Sequence, residues 1–322
     1  MTNPTAPHVR ALPAYDDLPV IERAGMSHSW GVFGPDDDVG TLNLLSDETV
    51  VDALSEVDSG ERIGLTLELS AISPPLFGRS PLVHTLLKTD RNTWDDRIDG
   101  LFPQASSQWD GLRHVRAREF GFYGGVTDDP PEMGDRLGIQ RWASVGIIGR
   151  GVLLDVSNFM TAHGRDYDPF SAVSIDARLL QDVARFQGTE IRQGDILCLR
   201  FGWITYYRTL DEDARTEYAS QTPIHYTGLA ADEEMARALW DWHVAAIACD
   251  NPAAEVSPGD PAVGSLHRRL IPALGMAIGE LLDFDELARK CAERSRWSFL
   301  FVGVPLNIRG GVGSPANAVA VL

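Results

Sequence analysis

The sequence predicts a single α/β domain with a long, loop-rich N-terminal half, and three observations carry that reading. Beyond residue 150, short apolar runs alternate with segments of helical periodicity. Residues 70–130 are instead crowded with Gly, Pro and other turn formers. No repeat, low-complexity linker or composition break divides the 322 residues, a length sufficient for one large core.

Taken in order, residues 1–25, with Pro4, Pro7 and Pro13, read as an N-terminal arm ahead of a domain spanning 26–322. The arm has no basic flank leading into an apolar stretch, so it does not read as a secretory leader. Either it packs on a neighbouring subunit or it lies loose. Ser46 caps a helix whose first turn holds Asp47 and Glu48. Residues 62–69 alternate, with Ile63, Leu65, Leu67 and Leu69 on one face, as in a half-buried strand. The runs 151–156, 195–201, 244–249 and 298–304 are largely apolar, as in strands covered on both faces. Helices are expected over 174–186, ended by Gly188, and over 232–243 and 281–293.

Composition excludes several classes of partner. With 46 acidic and 28 basic residues the formal charge is −18, which repels nucleic acid and anionic lipid. No apolar run approaches the roughly 20 residues of a membrane helix. Cys198, Cys249 and Cys291 are far apart in mostly apolar surroundings, which reads as reduced thiols of a cytoplasmic protein. Nucleophile-elbow, zincin, paired-cysteine and phosphate-loop motifs are missing. The glycine-rich 310–315 lacks the lysine of a phosphate loop and reads as a tight turn lining a pocket.

Chemistry concentrates in 104–114. Gln108 and Asp110 are two apart, so an extended backbone projects both from one face. His114 follows four residues later. Amide oxygen, carboxylate and imidazole at close range suit a hard or borderline metal ion with a neighbouring base.

The same stretch resembles the signature of the cyclase family of metal-dependent hydrolases, which includes kynurenine formamidase and isatin hydrolase. That signature is His-x-Gly-Thr-His-x-Asp-x-Pro-x-His. Asp110 and His114 match it, Ser107 stands for the threonine, and Gln104 and Gln108 replace the two early histidines. Ser106 and Leu112 replace its glycine and proline. The variant Ser107-Gln-Trp-Asp-Gly-Leu112, followed by Tyr123-Gly-Gly125, is similar to a longer branch of the family. His267, then Gly275-Met-Ala-Ile-Gly-Glu280, resembles the family's distant His and Glu. Further matches run in the family's order: 38–43, 151–155, 194–197, 249–255 and 305–315.

The resemblance implies a swivelling β/β/α domain, a mixed central sheet with flanking helices, and a homodimer or homotetramer. It also implies a hydrolase that opens an amide, lactone or N-formyl bond of a small cyclic or aromatic substrate. Relatives that hold two ions use both histidines with the aspartate for one of them; the loss of the histidines here points to one ion, on Gln108, Asp110 and His267. Glu280 is then a fourth ligand or a partner that orients one, and Gln104 an outer contact. Zinc is the first expectation, since an open N/O site brings the pKa of a coordinated water towards about 7; manganese is second. His114 is the expected general base or acid, with Glu280 the other catalytic residue. Trp30, Phe33, Trp109, Trp203 and His225 are the expected pocket residues, and Glu255 either reaches the substrate or caps a turn. Of the remaining histidines, His28 and His84 lie where they could line a pocket, His163 falls in a loop-like segment, and His8 and His243 read as surface or packing residues. The alternative is a catalytically inactive small-molecule-binding member of the fold.

Overall fold

The computed structural model describes residues 11–322; residues 1–10 of the expected arm, with His8, lie outside it. Further along the arm, Tyr15 and Leu18 are buried. Tyr15 N donates to Asp241 Oδ1 (2.8 Å), and Trp240 Nε1 donates to the Pro13 carbonyl (2.9 Å). This stretch therefore lies on the helix Glu233–Asp241 of its own chain.

One sheet dominates. Its nine strands, in chain order, are β1 (Arg62–Gly64), β2 (Gln108–Asp110), β3 (Ile147–Asp155), β4 (Ile196–Arg200), β5 (Ala246–Cys249), β6 (Ala277–Glu280), β7 (Ser298–Gly303), β8 (Gly313–Pro315) and β9 (Ala318–Val321). Across the sheet they run β8-β2-β6-β5-β4-β3-β7-β9-β1. The four from β6 to β3 are parallel, and every other pairing is antiparallel. Parallel strands need cover on both faces, which is why Ile196 to Leu199 and Ala246 to Cys249 are fully buried. This is the expected α/β architecture with a mixed central sheet.

The flanking helices follow their caps. Ser46 accepts from Thr49 N, Asp176 from Leu179 N and Asp232 from Met235 N, satisfying first-turn N–H groups that lack a partner within the helix. Gly188, at φ 64°, ends Ala177–Gln187. Two helices begin later than the periodicity predicts. Ser174–Ile175 pairs with Gly228–Leu229 as a short parallel ladder. Leu281 N and Leu282 N donate to Asn251 and Cys249 carbonyls, so the last helix starts only at Asp285.

The alternation over 62–69 survives after the ladder ends at Gly64. Leu65 and Leu67 remain buried, with Leu65 N on the Ala318 carbonyl (2.9 Å) and Leu67 N on Ser107 Oγ (2.8 Å). Within the stretch expected as loops, Val83–Asp90 and Thr93–Asp99 form an antiparallel hairpin, exposed almost throughout. Its charges fall on both faces, so no period-two apolar signal marks it. The glycine-rich 310–315, expected as a turn, supplies edge strand β8 from Gly313 onward.

A turn at Gly40 holds the start of β6. Thr41 donates from N to the Gly275 carbonyl (2.8 Å) and from Oγ1 to that of Ala245 (2.7 Å). Gly40 sits at φ 72°, and a Cβ there would come within 1.9 Å of the Gly275 oxygen. Only glycine satisfies both constraints.

Candidate metal centre

The centre is assembled from β2, β6 and the short helix Leu266–Arg268. Strand β2 lies between β8 and β6, with Gln108 opposite Glu280 and Asp110 opposite Ile278. Period-two alternation turns Gln108 and Asp110 to one face. Trp109 goes to the other, fully buried, its Nε1 donating to the Ala316 carbonyl (3.1 Å). The neighbouring strand needs glycine at 313: a Cβ would meet Gln104 Nε2 at 2.5 Å and the Trp109 oxygen at 2.8 Å.

His267 comes from the other end of the chain. Glu255 accepts from Leu266 N, His267 N (3.2 Å) and Ser265 Oγ (3.0 Å), so it caps the short helix. It also lies 3.2 Å from His267 Nδ1. That contact orients the ring and turns Nε2 towards Glu280 Oε1 (3.0 Å) and Asp110 Oδ2 (3.8 Å). The other Glu280 oxygen accepts from Gln108 Nε2 at 2.6 Å. Asp110, His267 and Glu280 thus offer three ligand atoms within 4.8 Å of one another. His114 Nε2 stands 3.5 Å from Asp110 Oδ2 with its side chain 28% exposed, against 1% for Asp110. His114 is the part of the cluster that faces solvent.

The donor set fits a divalent cation. Asp110 Oδ1 and Gln108 Oε1 are buried with no hydrogen-bond partner, a costly state that a bound ion would relieve. Burial raises the Glu280 pKa, and the adjacent Asp110 charge raises it further. Burial pulls His267 down, but Asp110, Glu255 and Glu280 together hold it well above its ordinary value. A carboxylate and an imidazole that retain protons they would shed for a cation are the electrostatic mark of such a site.

The structure brings Gln108, Asp110, His114, His267 and Glu280 together. Gln104 is buried against β8, its Nε2 without a partner. The expected pocket aromatics are dispersed. Trp203 is fully buried, stacked between Phe170 and Tyr207, and Trp109 fills the core. Trp30 is half-buried, donating from Nε1 to the Pro272 carbonyl (2.7 Å), and Phe33 packs edge-on to Trp240. His225 is exposed beside Thr222 and Pro223. Its neighbour Tyr226 is the residue that feels the centre: burial first, then Glu280 and Glu255, push its hydroxyl up to about 12. His28 accepts from Trp30 N, His84 pairs with Asp96 on the hairpin, and His163 and His243 bond to nearby carbonyls. Sequence reasoning passed over Tyr226, and the Glu255–His267 contact has no local pattern to find it by.

Comparison with known proteins follows the same lines. The Cyclase family model matches residues 63–256, more than half of the chain. A crystal structure of a novel cyclase superposes with a TM-score of 0.81 at 28% identity, covering 92% of this chain and 99% of that one. Isatin hydrolase A from Labrenzia aggregata, bound to benzyl benzoate, gives 0.60 at 14% identity, covering 84% and 98%. An isatin hydrolase bound to the product analogue thioisatinate gives 0.59 at 17%, covering 86% and 99%. These last two share the fold. None of the curated proteins matches the sequence.

Proposed function

The chain belongs to the Cyclase family, and from that premise we propose that it is a hydrolase using one divalent ion, zinc first and manganese second, to cleave an amide, lactone or N-formyl bond of a small substrate. The observation that carries this is the buried Asp110–His267–Glu280 cluster with His114 on its open side. Asp110, His267 and the unpartnered Gln108 Oε1 hold the ion with Glu280 as fourth ligand, and the Gln108 amide N–H fixes Glu280. When bound, the ion supplies Lewis acidity to the scissile carbonyl and a lowered pKa to an attacking water. His114 moves the proton: its Nε2 takes one from the nucleophile or returns one to the leaving group. Glu255 keeps the His267 ring oriented and its Nδ1 protonated. Tyr226 stays protonated beside the cluster, a neutral donor for a substrate oxygen.

Metal analysis of the purified protein tests this reading. One equivalent of divalent metal per chain and loss of hydrolysis in strong chelator are expected; activity persisting after exhaustive chelation sinks it. Glu280, raised to about 7 by burial and Asp110, must shed its proton to ligate. Apparent metal affinity therefore falls with pH below about 7, by up to about tenfold per unit for each proton displaced. Calorimetric titration at several pH values reads that slope; a flat profile contradicts the ligand role of Glu280.

We also place the protein in the cytoplasm, in keeping with three buried free cysteines. No helix among the described residues is long and apolar enough to cross a membrane. Its expected state is a homodimer or homotetramer. The hairpin supports that: Val83, Leu86, Trp94 and Ile98 are exposed on a two-stranded ribbon, an element marginal without further packing. Sedimentation should return the mass of two or four chains; a monomer refutes it.

A further inference from the structure

Arg79 lies in the loop between β1 and β2, far in sequence from every residue of the centre. The loop is tied down beside the site. Ile72 and Leu76 are buried in one cluster with Leu281, the residue after Glu280. The Glu68 carbonyl accepts from Ser106 Oγ at 3.1 Å, and Ser73 N donates to Tyr207 Oη at 3.1 Å. Just before Arg79 the backbone turns through two left-handed residues, Phe77 at φ 60° and Gly78 at φ 72°. A non-glycine residue in that region is strained, and such strain gathers at ligand-binding segments. The Arg79 guanidinium sits over the Phe77 ring, 5.2 Å from its centroid.

Arg79 is half-buried, yet among the described residues no acceptor lies within hydrogen-bonding or ion-pairing distance of its guanidinium. Arg215, over the Tyr207 ring, is also half-buried with its Nε unpartnered, but three arginines nearer the sheet are used differently. Arg113 donates to four carbonyls, Arg150 to Glu56 and Asp195, and Arg200 to Asp155 and Asp285. Burial lowers the Arg79 pKa, and the charges that push it back up are those of Asp110 and Glu280. The loop that carries it packs against Leu281 and is tied to Ser106, which sets this guanidinium on the side of the centre, and it stays charged. A cation partly withdrawn from water and left unpaired is unfavourable unless a ligand completes it.

We propose that Arg79 is the receptor for an ionised carboxylate on the small molecule bound at the Asp110–His267–Glu280 centre. This rests on the hydrolase reading and narrows it to anionic substrates or products. Asp110 and Glu280 cannot be that partner once they serve as ligands, because their charge then answers the ion. The guanidinium remains, and its planar N–H fork matches a carboxylate in two parallel bonds. Ring stacking on Phe77 limits the rotamers it must surrender on binding.

The test is direct binding, which needs no turnover. Acetate and benzoate, with benzamide as the neutral control, are titrated by calorimetry into wild type, Arg79→Gln and Arg79→Lys, each metal-loaded and metal-depleted. Arg79→Gln should weaken carboxylate binding by about tenfold to a hundredfold while leaving benzamide affinity and metal content unchanged. Arg79→Lys should recover part of the loss. Equal carboxylate affinity in wild type and Arg79→Gln overturns the proposal, as does absence of binding by both carboxylates. Thermal melting separates either outcome from misfolding, and Arg79→Lys carries the comparison if Arg79→Gln does not fold. Carboxylate binding through Arg79 in a protein that takes up no metal would instead reject the hydrolase reading alone. Kinetics then locate the group. With two substrates differing only in a carboxylate, Arg79→Gln raises KM for the charged one if the substrate carries it. If hydrolysis creates it, the variant relieves product inhibition.

Discussion

Asp110→Ala is expected to leave a folded protein without stoichiometric metal and with hydrolysis at background. Burial is the first reason. Asp110 is 1% exposed, one of its oxygens has no partner, and the other lies 3.8 Å from His267 Nε2 and 3.5 Å from His114 Nε2. It touches both the proposed ligand set and the proposed proton carrier. Removing a group that merely orients a ligand costs roughly 10–100-fold in metal affinity, so removing a ligand sets a floor of about a hundredfold. Stability should not fall in step. The metal-free centre confines two carboxylates in a buried space, and deleting one relieves the repulsion that raises Glu280. Metal content by mass spectrometry, read beside a melting curve, checks both halves. A variant that binds metal as wild type does would remove Asp110 from the centre.

His114→Gln is the complementary case: metal retained, turnover lost. His114 is adjacent to the cluster but more open than any of its ligands, and the other cluster carboxylate, Glu280, contacts His267 rather than His114. A residue that only transfers a proton contributes typically 10²–10⁴-fold to rate. The drop should therefore appear in kcat at unchanged metal content, with KM nearly constant. Equal loss of metal in Asp110→Ala and His114→Gln would make His114 a ligand instead.

Parts of the site were legible because their signals are local. The two-residue spacing of Gln108 and Asp110 places them on one face of any strand, whatever surrounds it. The pairing of His267 with Glu280 across 13 residues was legible only through family resemblance. Glu255 was weighed as a substrate contact or a turn cap, while Tyr226 and Arg79 carried no local signal, since nothing in their own segments relates them to residues 110 and 280. His225 was weighed for the pocket, but the chain turns it outward and buries Tyr226 instead. The aromatic candidates show the same limit: Trp109 and Trp203 are large and apolar, and burial in the core satisfies them as well as a pocket wall would.

The sequence by itself determined the α/β class, the apolar runs of β3, β4, β5 and β7, the helix cap at Ser46 and the helix stop at Gly188, and the kinds of donor available near residue 110. Period and capping act within a few residues, so they survive without knowledge of the fold. Only the tertiary structure decided which donors meet. Pairing β2 with β6 sets Glu280 against Gln108, Glu255 aims His267, and the loop at Leu76 packs against Leu281. Those contacts join residues from a dozen to about two hundred positions apart. Their energies depend on shared burial and neighbouring charge, which exist only once the sheet has formed.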